Sequence, residues 1–160
     1  MSSFCHRWKS SLSYRLLYGC HDYLLDSLQL TMNNAARMIS RIPKSAHITP
    51  YLAALHWLPV TSRIEYKLAS LSFQCMNGNA PNYLKELISQ KQYSRYSTRS
   101  SSDSSALKEA PASSQKTLGD RCFSRAAPSV WNSIPTHVRS TENLSSFKSA
   151  LKSHLFRKTY

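Results

Sequence analysis

The stretch His47–Met76, HITPYLAALHWLPVTSRIEYKLASLSFQCM, decides how this chain folds, because it holds two helix starts, a proline-bounded turn and the densest apolar spacing. Thr49 followed by Pro50 sets a hydroxyl where it can accept an orphan amide and a proline where no amide is needed, so a short helix is expected from about Pro50 to His56. Pro59 disfavours helical geometry at Leu58 and ends that element, which leaves Trp57, Leu58 and Pro59 as a turn. Ser62 and Glu65 then stand at the spacing of a reciprocal capping box. Beyond them Ile64, Leu68, Leu71 and Cys75 recur at +4, +3 and +4, one face of a four-turn helix. Asn77, Gly78 and Asn79 tolerate left-handed backbone and Pro81 cannot continue a helix, so the end is marked as well. The expectation is two helices joined by an aromatic corner.

On the N-terminal side, Leu28, Met32, Ala35 and Ile39 repeat the same spacing between Asp22 and Arg41, with Leu24, Leu25 and Ala36 widening the stripe. A long helix ended by Pro43 is expected there, preceded by a loose basic arm over residues 1–13. On the C-terminal side, Pro81 to Ile88 fits a further helix carrying Tyr83, Leu84, Leu87 and Ile88 on one side. Composition then shifts: seven of the twelve residues from Ser94 to Ser105 are serine, and 91–117 reads as a solvated, flexible loop able to track a phosphate backbone or accept phosphate itself. The run GDRCFSRAAPSVWNSIP supplies an aromatic packing anchor that Pro128 and Pro135 should break into short pieces. Finally Phe147, Ala150, Leu151, His154 and Leu155 define an amphipathic helix with Lys148, Ser149, Lys152 and Arg157 opposite. The fold class is therefore mainly α: a small domain of about five helices with a long Ser-rich loop, a short extended or β pair around 95–123 being left open. Its parts are the arm, a helical core over 14–90, the loop, and a segment over 118–160 that packs on the core.

The 160 residues, 41% of them hydrophobic, suffice for one core, since a domain of that length buries roughly 70% of its unfolded surface. A net charge of +13 favours an anionic partner, nucleic acid or an acidic membrane surface. The cysteines at 5, 20, 75 and 122 are widely spaced, and MSSFCHRWKSS lacks the apolar run of a secretory signal. A reduced, intracellular protein, nuclear or cytoplasmic, is the expectation, with neither secretion nor a membrane span.

Catalytic chemistry finds little to work with. The eight acidic residues are scattered; only Asp22 and Asp26 share a helix face, where they complement the dipole of a helix N-terminus. Cys5-His6 and Cys20-His21 form adjacent pairs rather than the spacings that close a zinc tetrahedron. His47, His56, His137 and His154 have no serine on a glycine-flanked turn, and three glycines cannot build a phosphate loop. No cofactor, no metal and no catalytic residue is expected.

Taken together, the blocks LLYGCHDYLLDSLQLTMNNAARMISR, HITPYLAALHWLPVTSRIEYKL, FQCMNGNAPNYLKELI, GDRCFSRAAPSVWNSIP and LSSFKSALKSHLF, in this order, resemble the extreme C-terminal region of reverse transcriptases of non-LTR (LINE-type, jockey-like) retrotransposons, over about Leu12 to Tyr160. The residues that carry the likeness are His47, Pro50, Leu55, His56, Trp57, Leu58, Pro59 and Arg63 in the opening stretch, and Gly119, Asp120, Arg121, Phe123, Pro128, Trp131, Asn132 and Pro135, then Phe147, Lys148 and Leu151, beyond it. The resemblance implies relatives with an apurinic-type endonuclease and an RNA-directed DNA polymerase whose aspartates sit in a Tyr-x-Asp-Asp motif, followed by a tail to which this chain corresponds. Neither set of catalytic motifs has a counterpart here, so the resemblance implies a non-catalytic module that assists the parent enzyme with RNA or DNA.

The cations that would meet phosphates are Arg37, Arg41, Lys44, Arg63 and Lys67 around the central helices and Lys148, Lys152, Arg157 and Lys158 on the last. The rival expectation is a docking unit for the parent polymerase domain, or a remnant reading frame, in which Trp57, Trp131 and the Phe147 stripe are core or interface. Membrane-surface binding by the last helix is weaker, since His154 interrupts its apolar face.

Overall fold

Apolar side chains on one face make a surface helix, whereas apolar and small side chains all round make a central one, and the second half of the long helix of the opening stretch, over residues 68–75, is of the second kind. The computed structural model describes residues 17–88, 106–109 and 122–160. Among these the architecture is mainly α, with no strand: α1 (Asp22–Ser40), α2 (Thr49–Ala54), α3 (Val60–Met76), α4 (Asn82–Lys85), α5 (Phe123–Ser133), α6 (Thr136–Arg139) and α7 (Leu144–Thr159). The arm, the Ser-rich tract except 106–109, and Gly119, Asp120 and Arg121 lie outside the described residues.

The expected stripe of α3 is in the core, with Ile64, Leu68 and Cys75 buried and Leu71 partly so, but Ala69 and Phe73 are buried on the opposite side. Ser70 and Ser72 are buried too, and their hydroxyls donate to the carbonyls of Tyr66 and Leu68 at 2.7 and 3.0 Å. Each hydroxyl is thus satisfied within its own helix, and the neighbours can close in on that side as well.

Those neighbours are above all α5 and α7, with α1 and α4 adding smaller contacts. Phe73 stacks on Phe147 at 4.4 Å between ring centroids, and Trp131 lies against both at 6.5 and 5.6 Å. Such ring contacts add about 0.5–1.5 kcal/mol per pair to the burial of the rings themselves. Phe73 near the end of α3 meets Phe147 near the start of α7, while Ser62 meets Thr159, so the two helices run antiparallel. Segment 118–160 therefore supplies half of the core.

Several local expectations are corrected. Thr49 is the first residue of α2 rather than its cap, which is Ile48. The capping box of Ser62 and Glu65 does not form, because α3 begins two residues earlier, behind Pro59. Its Val60 amide instead donates to Gln29 Oε1 at 2.9 Å, so a side chain of α1 caps α3. Pro128 lies inside α5 and is buried, leaving that helix unbroken. The helix expected over Pro81–Ile88 is only four residues long, with Leu84 buried and Tyr83 and Leu87 exposed.

On α1 the inward line is the half-buried Leu25 and Met32 and the buried Ala36, with Gln29 reaching the start of α3; Leu24, Leu28 and Ile39 of the expected stripe are exposed, as is Met38 at 81%. The loop assignment also changes at 106–109. Ala106 and Leu107 are buried, and Asn132 clamps Leu107 by accepting from its N–H and donating to its C=O, both at 3.0 Å. The same amide donates to Glu109 at 2.8 Å.

Candidate nucleic-acid interface

The aromatic corner expected between the first two helices of the opening stretch is present, and its shape follows from how α2 ends. The His56 amide donates to Ala53 and the Trp57 amide to Leu52, at 3.0 and 2.9 Å, with His56 at φ 53° between them. This is the left-handed termination that helices usually give to glycine, occupied here by a histidine. Leu58 and Pro59 then carry the chain into α3.

The last turn of α7 docks against this corner. His56 stacks on Phe156 with centroids 5.6 Å apart and planes 20° from parallel, and Phe156 meets Tyr160 at 4.8 Å. The Tyr160 hydroxyl donates to the Trp57 carbonyl at 2.7 Å. Arg63, on the first turn of α3, donates from Nε to the Leu58 carbonyl at 2.8 Å and holds its guanidinium 5.6 Å from the Trp57 ring centroid. Burial pushes the Tyr160 phenol up from its ordinary value of 10.0, and the nearby Arg63 charge partly offsets that rise.

The nine expected cations are spread over several faces. Arg63 and Lys158 flank the corner, but both are engaged: Arg63 as above, Lys158 with Glu65 at 3.2 Å. Lys158 remains 58% exposed, so this pair is weak and salt-sensitive. Arg157 is exposed beside Phe156, whereas Lys67 lies half-buried one turn beyond Arg63 on α3. Lys148 is half-buried and Lys152 exposed one turn further along α7. Between α1 and α2, Arg41 and Lys44 are exposed, while Arg37 turns inward, donating from Nη2 to the Ala46 carbonyl at 3.4 Å. Arg41 does not share a helix face with Arg37, because it ends α1 in left-handed backbone at φ 51°.

A cavity of about 240 Å³ opens near the corner between α3, α5 and α7, floored by Val130, Ile134, Leu151 and Leu155 and rimmed by Glu65, Ser133, His154 and Lys158. It is smaller than the roughly 300–1,000 Å³ of a usual ligand pocket. Burial, then the charges of Lys158, His137 and Arg157, hold the His154 imidazole below its ordinary 6.5, against a smaller opposing effect of Glu65. The described residues bring together no group of three or more His, Cys, Asp or Glu side chains able to hold a metal. No described helix is long and apolar enough to cross a membrane.

Periodicity could not reveal Phe156 and Tyr160, which lie off the apolar stripe of α7, nor Gln29, whose partner is 31 residues away. No protein-family model, curated protein or solved structure matches the chain.

Proposed function

We propose that this chain is a non-catalytic helical module of the C-terminal region of a non-LTR retrotransposon reverse transcriptase, and that it holds template RNA or target DNA for the parent enzyme. The family part of this reading rests on the five sequence blocks. The binding part rests on one observation: a chain of net charge +13 presents exposed Lys152 and Arg157 from α7 and exposed Arg41 and Lys44 from the end of α1 and the turn after it. Exposed cations attract the phosphate backbone whatever its sequence, and the released counterions make such binding salt-dependent. Equilibrium binding of labelled RNA and DNA oligonucleotides at rising salt tests it. Affinity should fall steadily as salt rises, and an absence of affinity for either strand at low ionic strength would sink the proposal.

A second reading has its own support. Leu24, Leu28, Met38 and Ile39 give α1 an exposed apolar face, as a helix that docks on another protein would have. If docking on the parent polymerase is the function, the two should co-purify at high salt, where phosphate contacts fade, and Ile39→Asp should abolish that association.

A further inference from the structure

We infer that the corner made by His56, Trp57, Phe156 and Tyr160 is a stacking platform for unpaired nucleobases, so that the strand bound is single-stranded. This inference rests on the reading of the chain as a nucleic-acid-binding module and specifies the ligand of that module.

Three observations carry it. First, glycine meets the left-handed backbone at position 56 at the least cost, yet a histidine stands there, its Nδ1 3.2 Å from the Ala54 carbonyl oxygen. A histidine there gives the turn an exposed ring, laid flat on Phe156 with planes 20° apart. Second, the row of rings runs outward from the edge of the core: Phe156 is half-buried against it and Tyr160 is 39% exposed. The polar tethers in the row, from the Tyr160 hydroxyl to the Trp57 carbonyl and between His56 Nδ1 and the Ala54 carbonyl at 3.2 Å, use the rims of the two rings and leave their faces unblocked by those bonds. Third, cations border the rings. Arg63 stands over Trp57 and close enough to Tyr160 to affect its ionisation, and Arg157 follows Phe156 in an exposed position.

Aromatic faces interleaved with guanidinium groups are what a single strand needs, because each base has a face to stack and each phosphate a charge to meet. A base inside a duplex has both faces covered by its neighbours and can use only the charges. The platform should therefore prefer unpaired strands at equal salt. It should take RNA and DNA strands alike, since stacking requires no 2′-hydroxyl.

The test is fluorescence anisotropy with the full chain and four labelled 12-mers of one sequence: single-stranded RNA, single-stranded DNA, the DNA duplex, and a single strand whose central bases are abasic. Both intact single strands should bind about tenfold more tightly than the duplex or the abasic strand, since stacking contributes roughly 1–3 kcal/mol per base. His56→Gly, which keeps the left-handed turn, combined with Tyr160→Ala should remove that preference and leave the salt dependence unchanged. Equal binding of intact and abasic strands by the unaltered chain would overturn the platform even if charge-driven binding persists, as would a preference for the duplex. Preference for intact RNA alone would overturn recognition by stacking and assign the contact to the sugar. Failure of every strand to bind at low salt would overturn the nucleic-acid reading along with the platform.

Discussion

At Arg41 the backbone closes α1 in left-handed geometry, with the Arg41 and Ile42 amides both directed to the Arg37 carbonyl. A non-glycine residue there costs about 1–2 kcal/mol relative to right-handed backbone. Arg41→Gly should therefore raise stability by about 1 kcal/mol, seen as a rise in Tm of roughly 3 °C for a domain of this size. The opposite sign is expected at Gln29, whose loss in Gln29→Ala leaves the first amide of α3 without its acceptor and should cost about 1 kcal/mol in denaturant unfolding. His154 makes stability depend on pH. Its native pKa is lowered below 6.5, so as pH falls through that value the unfolded chain binds the proton first and the native state loses ground. Thermal melts at stepped pH should show Tm falling on acidification below neutrality, and His154→Gln should flatten part of that fall.

At the scale of elements, legibility followed geometry. The stripe Phe147, Leu151 and Leu155 of α7 was legible because one side of that helix meets the core, so a period near 3.6 survives in the sequence. In α3 only half of the packing was legible. Burial on several sides over residues 68–75 erases the period, and the buried Ser70 and Ser72 look like surface residues until their bonds to Tyr66 and Leu68 are seen. The stripe of α1 was wide enough to admit several rotations, and the one adopted, with Leu25, Met32 and Ala36 inward, also satisfies a polar contact from Gln29 that no hydrophobic pattern records. Leu107 was hidden in a serine-rich tract, and its anchor, Asn132, lies 25 residues further on. These differences predict a gradient of sensitivity. Leu68→Ala, at 0% exposure, should cost about 2–5 kcal/mol, whereas Met38→Ser on the outer face of α1 should stay within about 0.5 kcal/mol. Urea denaturation of both variants checks it.

For the molecule as a whole, the charge of +13 is carried by side chains with unequal freedom. Arg37 and Arg63 are committed to the Ala46 and Leu58 carbonyls and Lys158, though exposed, shares a weak pair with Glu65, so the candidate interface narrows from nine cations toward the other exposed ones, Arg41, Lys44, Lys152 and Arg157. The sequence distinguished basic from acidic but not engaged from exposed, because the acceptors of Arg37 and Arg63 are backbone carbonyls presented by turns. The most direct measurement is the slope of log affinity against log salt for a single-stranded oligonucleotide, compared between the unaltered chain and one with all four exposed cations changed to glutamine. If these four meet phosphates, the slope should become shallower by about 3, at roughly 0.7 per lost contact. Identical slopes for the two proteins would contradict the account.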